Sequence, residues 1–345
     1  MGSQIVAASV ADGRQLLRAH DAFVNALSGF DRQSRVGLRS SSVTVTTEIY
    51  LDYVASQIMA WTKAETDALQ GIVKEIDGRI SGRWSFTLPP VIHLVKTTGQ
   101  EEGRAAYTRH LDTIVLPAGK VDTIFAVSSD SDPLFPRNNT ASLRDILIHE
   151  LFHLVSKNNA KQRKALYELI GYRQLDRPVA LPDVPWPKNT SSARMPDLKI
   201  TNPDAPLLDA LFTFSFPNME PPPWPTRDVV PILMANGPYD GGVFFAYLEW
   251  LFLEVTEEGG EWKPVLDGEG RPVTYRAAPP GDEWRDYLEE QYLNTIGRNT
   301  ASELFHPDEI IAQNFVFSAL LPSSDLLSRI SESLGRPPAT VPSPS

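Results

Sequence analysis

The residues best suited to chemistry are His149-Glu150-Leu151-Phe152-His153, an H-E-x-x-H pattern. On a helix, positions i and i+4 project from one face, so two imidazoles there can share one ion at about 2.0–2.1 Å while Glu150 reaches a water on that ion. The chain has six His, at 20, 93, 110, 149, 153 and 306, and chance would produce the pattern roughly 0.006 times in such a composition. The flanking residues Ile146, Leu147, Ile148, Leu154 and Val155 are apolar. Two imidazoles and a carboxylate on so apolar a helix need partners to offset their desolvation, and a divalent cation is the simplest partner. The chain has no Cys, which excludes disulfides, thiolate metal sites, iron–sulfur clusters and cysteine nucleophiles. One Zn2+ per chain, held by imidazole and carboxylate, is the expected cofactor.

A catalytic zinc takes three protein ligands and keeps one position open. Positions 156 and 159 are Ser and Asn, so no His close behind His153 supplies the third. Glu168, on the next expected helix, competes with Glu309, in the segment His306-Pro307-Asp308-Glu309-Ile310-Ile311-Ala312-Gln313-Asn314-Phe315; Asp308 is a further carboxylate in reach of the role. Pro307 suits a first helical position, and Glu309 and Gln313 share a face at i and i+4, as a ligand and its support would.

The elements that must position these residues follow from periodicity. Apolar spacing predicts helices over about 12–30 and 46–80. The signal then changes to strands at 91–95, 106–108, 113–116 and 123–127. A polar loop spans 128–140, and Ser142 with Asp145 resembles a capping box opening a helix that runs to about Lys157. A second helix is expected over 160–172. Prolines cluster from Pro178 to Pro238, which forbids long helices and reads as irregular, surface-wrapping chain. Residues 243–255 fit either a buried strand pair or a helix, and 261–276 fit a hairpin around Asp267-Gly268-Glu269-Gly270. Helices over 282–294, 307–320 and 324–334 precede a disordered tail, 336–345.

Glu309, Ala312 and Gln313 together resemble the E-x-x-A-[DE] helix of gluzincin metallopeptidases, the neprilysin-like and anthrax-lethal-factor-like enzymes. In those families the Glu binds zinc and the acidic residue four positions on braces a zinc-binding His. The resemblance covers only this segment and the H-E-x-x-H helix. It implies Glu309 as third ligand, Gln313 as the brace, and an α+β, zincin-like fold: a small mixed sheet packed on an active-site helix, with additional helices N- and C-terminal. Residues 1–85 would be an N-terminal helical region, and 86–335 the metallopeptidase region with a Pro-rich insertion at about 178–238. Gln313 departs from the family's acid, offering a carbonyl oxygen without a charge. By the same resemblance, an edge strand within 107–116 would cradle extended substrate.

The resulting reading is zinc-dependent hydrolysis of peptide bonds, with zinc-bound water activated by Glu150 and a peptide or protein as substrate. Tyr292, His306 and Tyr239 are candidate oxyanion donors. One alternative is a catalytically inactive zincin-fold metal-binding and partner-binding protein, which Gln313 favours. Another is a di-iron carboxylate protein, because Glu303-Leu-Phe-His306 echoes Glu150-Leu-Phe-His153; Pro307 and the β-rich stretch 91–127 speak against it. The net charge of -11, from 32 Lys+Arg and 43 Asp+Glu, argues against nucleic acid as a partner. No apolar run reaches the length of about 18 residues that a membrane span needs. The start lacks the charged and apolar regions of a signal peptide; cytoplasmic and exported origins both stay open, as does oligomeric state.

Overall fold

In the computed structural model, which describes residues 2–125, 142–186, 192–216, 224–276, 283–297, 304–320 and 325–334, the first element is a strand, β1 (Gln4–Ala7). Five helices follow: α1 (Val10–Arg18), α2 (Ala22–Ala26), α3 (Gly29–Val36), α4 (Thr47–Ser56) and α5 (Lys63–Ile80). Each opens on a Ser, Asp or Thr whose side chain accepts a first-turn N–H, which satisfies a backbone donor that helix geometry leaves unpaired. Strands β2 (Val91–Thr97), β3 (Tyr107–Arg109) and β4 (Thr113–Pro117) join β1 in a sheet ordered β1-β2-β4-β3. The pairs β1–β2 and β2–β4 are parallel, and β3 lies antiparallel at the edge.

The expected strand at 123–127 is not formed. After Pro117 the chain turns into α6 (Ala118–Val121) and a 3-10 turn, Asp122–Phe125, where the Thr123 hydroxyl donates to the Lys120 carbonyl at 2.6 Å. Burial of Val121 in the main core overrides the β preference of the Thr-Ile-Phe run. Residues 126 and 127 and the loop 128–140 lie outside the described residues.

Helix α7 (Leu143–Asn158) starts at Ser142, whose hydroxyl accepts the Asp145 N–H at 3.3 Å. Being apolar on nearly every side, it can only be a buried helix. It packs on the face of the first sheet formed by Ile92, Leu94, Ile114 and Leu116, whereas Val95, Tyr107 and Val115 face a separate core of α1, α2 and α4. The period-2 alternation of these strands therefore divides one sheet between two helical layers. Helix α8 (Ala160–Leu169) follows at once.

The proline-rich stretch corrects the expectation of irregular chain. It contains no long helix among the described residues, but it supplies three strands, β6 (Lys199–Ile200), β7 (Ala210–Ser215) and β8 (Thr226–Ala235), of a seven-stranded antiparallel sheet completed by β5 (Tyr172–Gln174), β9 (Leu248–Glu258), β10 (Glu261–Pro264) and β11 (Thr274–Arg276). Pro231 is tolerated in β8 because it stands where the strand changes neighbour, from β7 at 226–229 to β6 at 233–234, a gap in the ladder that needs no donor. The stretch 243–255 resolves into a 3-10 turn, Phe244–Tyr247, and β9. Phe212, Phe214, Val229 and Phe252 enter the main core, while Leu211, Val230, Leu251 and Leu253 build a second one on the other face. Helices α9 (Glu283–Ile296), α10 (Pro307–Leu320) and α11 (Asp325–Ser333) close the chain. Phe315 of α10 meets Phe152 of α7 at 5.4 Å and Trp84 at 4.8 Å between ring centroids. The architecture is α+β. No described helix is long and apolar enough to cross a membrane, and the tail 336–345 lies outside the described residues.

Candidate metal centre

The pairing of α7 with α10 decides the site. His149 and His153 stand one turn apart on α7 with ring centroids 4.8 Å apart, and Glu309, in the first turn of α10, projects its carboxylate onto them. Glu309 Oε2 lies 3.1 Å from His149 Nε2 and 3.3 Å from His153 Nε2. Ligands placed tetrahedrally at the bond lengths usual for zinc stand roughly 3.3 Å from one another, so the spacing fits one small divalent cation. The donor set of two imidazoles and a carboxylate fits such an ion too. His153 Nε2, fully buried, has no hydrogen-bond partner among the described residues, which a cation would supply. Of the two rival glutamates the structure brings Glu309 to the imidazoles; Glu168 is exposed on α8.

The electrostatics follow from burial. Burial pushes the Glu309 carboxyl up, but the charges of His153 and His149 and the hydrogen bond from His149 outweigh it and hold Glu309 well below the ordinary range. Burial lowers the two imidazoles, yet Glu309 raises both, by its hydrogen bond at His149 and by its charge at His153, which rises most strongly with help from Asp204 and Asp308. Glu150 has no cationic partner at bonding distance among the described residues. Burial, with the nearby Asp204 carboxylate adding, pushes it up to about 8, and its Oε2 has no hydrogen-bond partner among the described residues.

Bracing comes from a different place than the resemblance implies. His153 Nδ1 lies 2.6 Å from Asp308 Oδ2, and the other Asp308 oxygen accepts the Tyr167 hydroxyl at 2.8 Å and the Ser156 hydroxyl. Gln313 forms no hydrogen bond to either imidazole among the described residues. On a helix the residue before Glu309 reaches the second imidazole, and it is this neighbour, not the one four positions on, that is an acid here. Sequence reasoning weighed Asp308 only as a ligand and missed Ser156 and Tyr167; an acid directly beside the ligand was the available signal.

The three candidate oxyanion donors separate. The Tyr292 hydroxyl is engaged by Tyr172 Oη at 2.8 Å and donates to the Leu304 carbonyl at 2.6 Å, inside an aromatic cluster with Phe212 and Phe252. The Tyr239 hydroxyl donates to the Gly242 carbonyl at 2.7 Å, and its ring packs on Phe30. Neither hydrogen-bonds to the ligand set. His306 caps α10, its Nδ1 accepting the Asp308 N–H at 3.1 Å. Burial lowers its pKa, and its Nε2 is buried without a partner among the described residues. Glu303, the other half of the di-iron echo, lies outside the described residues.

Two residues of the segment between β6 and β7 reach the site without having been anticipated. Asn202 Nδ2 donates to Glu309 Oε1 at 2.7 Å, and Asp204 offers an oxygen within 4.8 Å of ligand atoms of both Glu150 and His153. Nothing in the spacing of Thr201-Asn202-Pro203-Asp204 marks them in advance. Beside the cluster lies a cleft of about 910 Å³ lined by Ser156, Lys157, Tyr167, Asp204 and Asp308 on its inner side and by Leu111 and Leu207 at its rim. This cleft thus adjoins the braced side of His153 and does not include His149, Glu150 or Glu309 in its lining. No family model, no curated protein and no solved structure matches this chain.

Proposed function

We propose that the protein is a zinc-dependent metallopeptidase of zincin type, with His149, His153 and Glu309 as the ligands of one zinc ion and Glu150 as general base. The observation that carries this reading is the convergence of Glu309 Oε2 on both imidazole Nε2 atoms, at 3.1 and 3.3 Å, from a helix far along the chain. A cation held there supplies a Lewis acid that polarises a scissile carbonyl and makes water a better nucleophile near neutral pH. The chain's own residues do the rest. Glu150 is placed beside the ligands with an oxygen that no described residue engages, and a carboxylate there can take a proton from the attacking water and return it to the leaving amine. Asp308 holds the His153 Nδ1 proton, so Nε2 presents its lone pair to the ligand position. The antiparallel edge strand β3 beside α7 supports the zincin-like reading and offers main-chain partners to an extended peptide.

The test combines metal content with turnover. Elemental measurement on the purified chain should find one zinc per chain, and a diverse peptide library should be cleaved. Glu150→Gln should keep its zinc and lose at least about a hundredfold in kcat. A wild-type protein that holds zinc and cleaves nothing would move the reading to a metal-binding partner protein.

A further inference from the structure

The connection between β6 and β7 runs across the ligand cluster and is held there by side chains. Asp204 Oδ1 accepts the Thr108 N–H at 2.8 Å and the Thr108 hydroxyl at 2.5 Å. Thr108 is the middle residue of β3, the free edge of the first sheet, and its outward N–H is the donor an added strand would use. Lys157 Nζ, on α7, ties the same place from below, donating to Thr108 Oγ1 at 2.6 Å and to the Pro203 carbonyl at 3.2 Å. Asn202 grips Glu309, and Asp204 stands beside Glu150 and His153. Upstream, Thr201 is fixed to Asp31 of α3 through its N–H at 3.0 Å and its hydroxyl at 2.6 Å.

This segment sits on β3 without pairing with it. Pro203 and Pro206 have no N–H to give a ladder, and its grip on the edge is made through the Asp204 carboxylate. Both flanking strands are anchored elsewhere, β6 and β7 each pairing with β8, so the segment can leave β3 without breaking either sheet. On its other side opens the 910 Å³ cleft, in which Asp204 forms part of the wall.

We infer that residues 201–204 are a self-inhibiting strap, occupying the place on β3 and across the ligand cluster that an extended peptide must take, and that its displacement joins the cluster to the cleft in one groove. This rests on the metallopeptidase reading, and two probes keep the two claims apart. Acetohydroxamate needs only an accessible cation; a tetrapeptide hydroxamate needs the strand path as well. With the zinc-loaded full chain, calorimetry should show Thr108→Val and Thr201→Val, which lose hydroxyl bonds that hold the strap and touch no proposed ligand, binding the tetrapeptide hydroxamate about tenfold or more tightly than wild type, because an open path no longer has to be populated first. Acetohydroxamate affinity should change by less than about threefold.

Should Thr201→Val fail to fold, Thr108→Val and the unmutated protein still decide. In amide exchange on wild type, peptides spanning 201–209 should exchange faster when the tetrapeptide hydroxamate is added, and not when acetohydroxamate is. Equal tetrapeptide affinity in wild type and variants, or strap exchange unchanged by the peptide probe, overturns the strap while leaving the metal centre standing. Failure to bind zinc and acetohydroxamate overturns the centre and the strap with it.

Discussion

At the scale of single residues, Asp308 has the most to do for its size. Its carboxylate meets the His153 imidazole, the Tyr167 hydroxyl and the Ser156 hydroxyl. Burial pushes it up, but the hydrogen bond and charge of His153 outweigh that and hold it below its ordinary value of 3.8. An anion so placed fixes one tautomer of His153 and raises its basicity toward a cation. Replacing Asp308 by Ala should therefore lower zinc affinity about 10–100-fold, measured by competition with a chelator, with the fold retained by circular dichroism. Glu309→Ala should lose its zinc and Glu168→Ala should keep a full complement; zinc retained by the former would remove Glu309 from the ligand set. The two His and the Glu between them were readable from sequence because i and i+4 spacing on a helix is a local property. Glu309 needed the resemblance to separate it from Glu168, since local periodicity says nothing about which distant helix lies alongside. Asp308, Asn202 and Asp204 were not readable in their observed roles: each depends on how two elements meet.

At the scale of elements, the site is as rigid as the contact between α7 and α10. Phe315 joins them, its ring packed against Phe152, Trp84 and, at 6.3 Å, Phe86. Phe315→Ala should cost about 3–5 kcal/mol in urea unfolding. It should weaken zinc binding as well, although no metal ligand is touched, because Glu309 rides on the helix that Phe315 seats; unchanged zinc affinity in a destabilised variant would show that α10 is held by its other contacts. The two helices were legible because their signals are local, a Ser142 cap for one and Pro307 at the first turn for the other. The second sheet was legible only in part: β9, β10 and β11 fall where a strand pair and a hairpin were among the readings, but β6 to β8 did not show. Pro225 stands at the threshold of β8 and Pro231 within it, and proline argues against a strand unless the pairing partner changes there, which only topology reveals. The first strand was missed for a related reason: Gln4-Ile5-Val6-Ala7 is too short to announce itself and becomes a strand by lying parallel to β2.

At the scale of the molecule, the N-terminal helices are fastened to the layer that carries the site by buried ion pairs. Arg109 of β3 meets Asp21 at 2.6 Å, Arg35 of α3 meets Glu102 at 2.7 Å, and Lys96 of β2 meets Glu65 at 2.8 Å. The Asp21–Arg109 pair ends on the same short strand that Asp204 covers, so the helical layer, the sheet edge and the ligand cluster share one support. Burial pushes the Asp21 carboxyl up, but Arg109, by charge and by hydrogen bond, and the N–H groups of Val24 and His110 outweigh burial and hold it below 3.8. As pH falls, the unfolded chain therefore binds this proton before the folded one does. The stability due to the pair is complete above 3.8 and is lost as pH drops through the lower folded value. Asp21→Asn leaves Arg109, which is fully buried, without its counter-charge and should cost about 3–5 kcal/mol near neutral pH. Below about pH 4 the wild type should lose its advantage as its own Asp21 takes up a proton, so the gap between the two proteins should narrow. Urea unfolding of metal-free wild type and Asp21→Asn across a pH series measures that gap directly, and carboxylates common to both proteins cancel in the difference. A gap that stays constant as pH falls would mean that Arg109 is anchored by the Ala19 carbonyl, to which it also donates at 3.0 Å, and that the charge of Asp21 is not what binds the helical layer to the edge of the sheet.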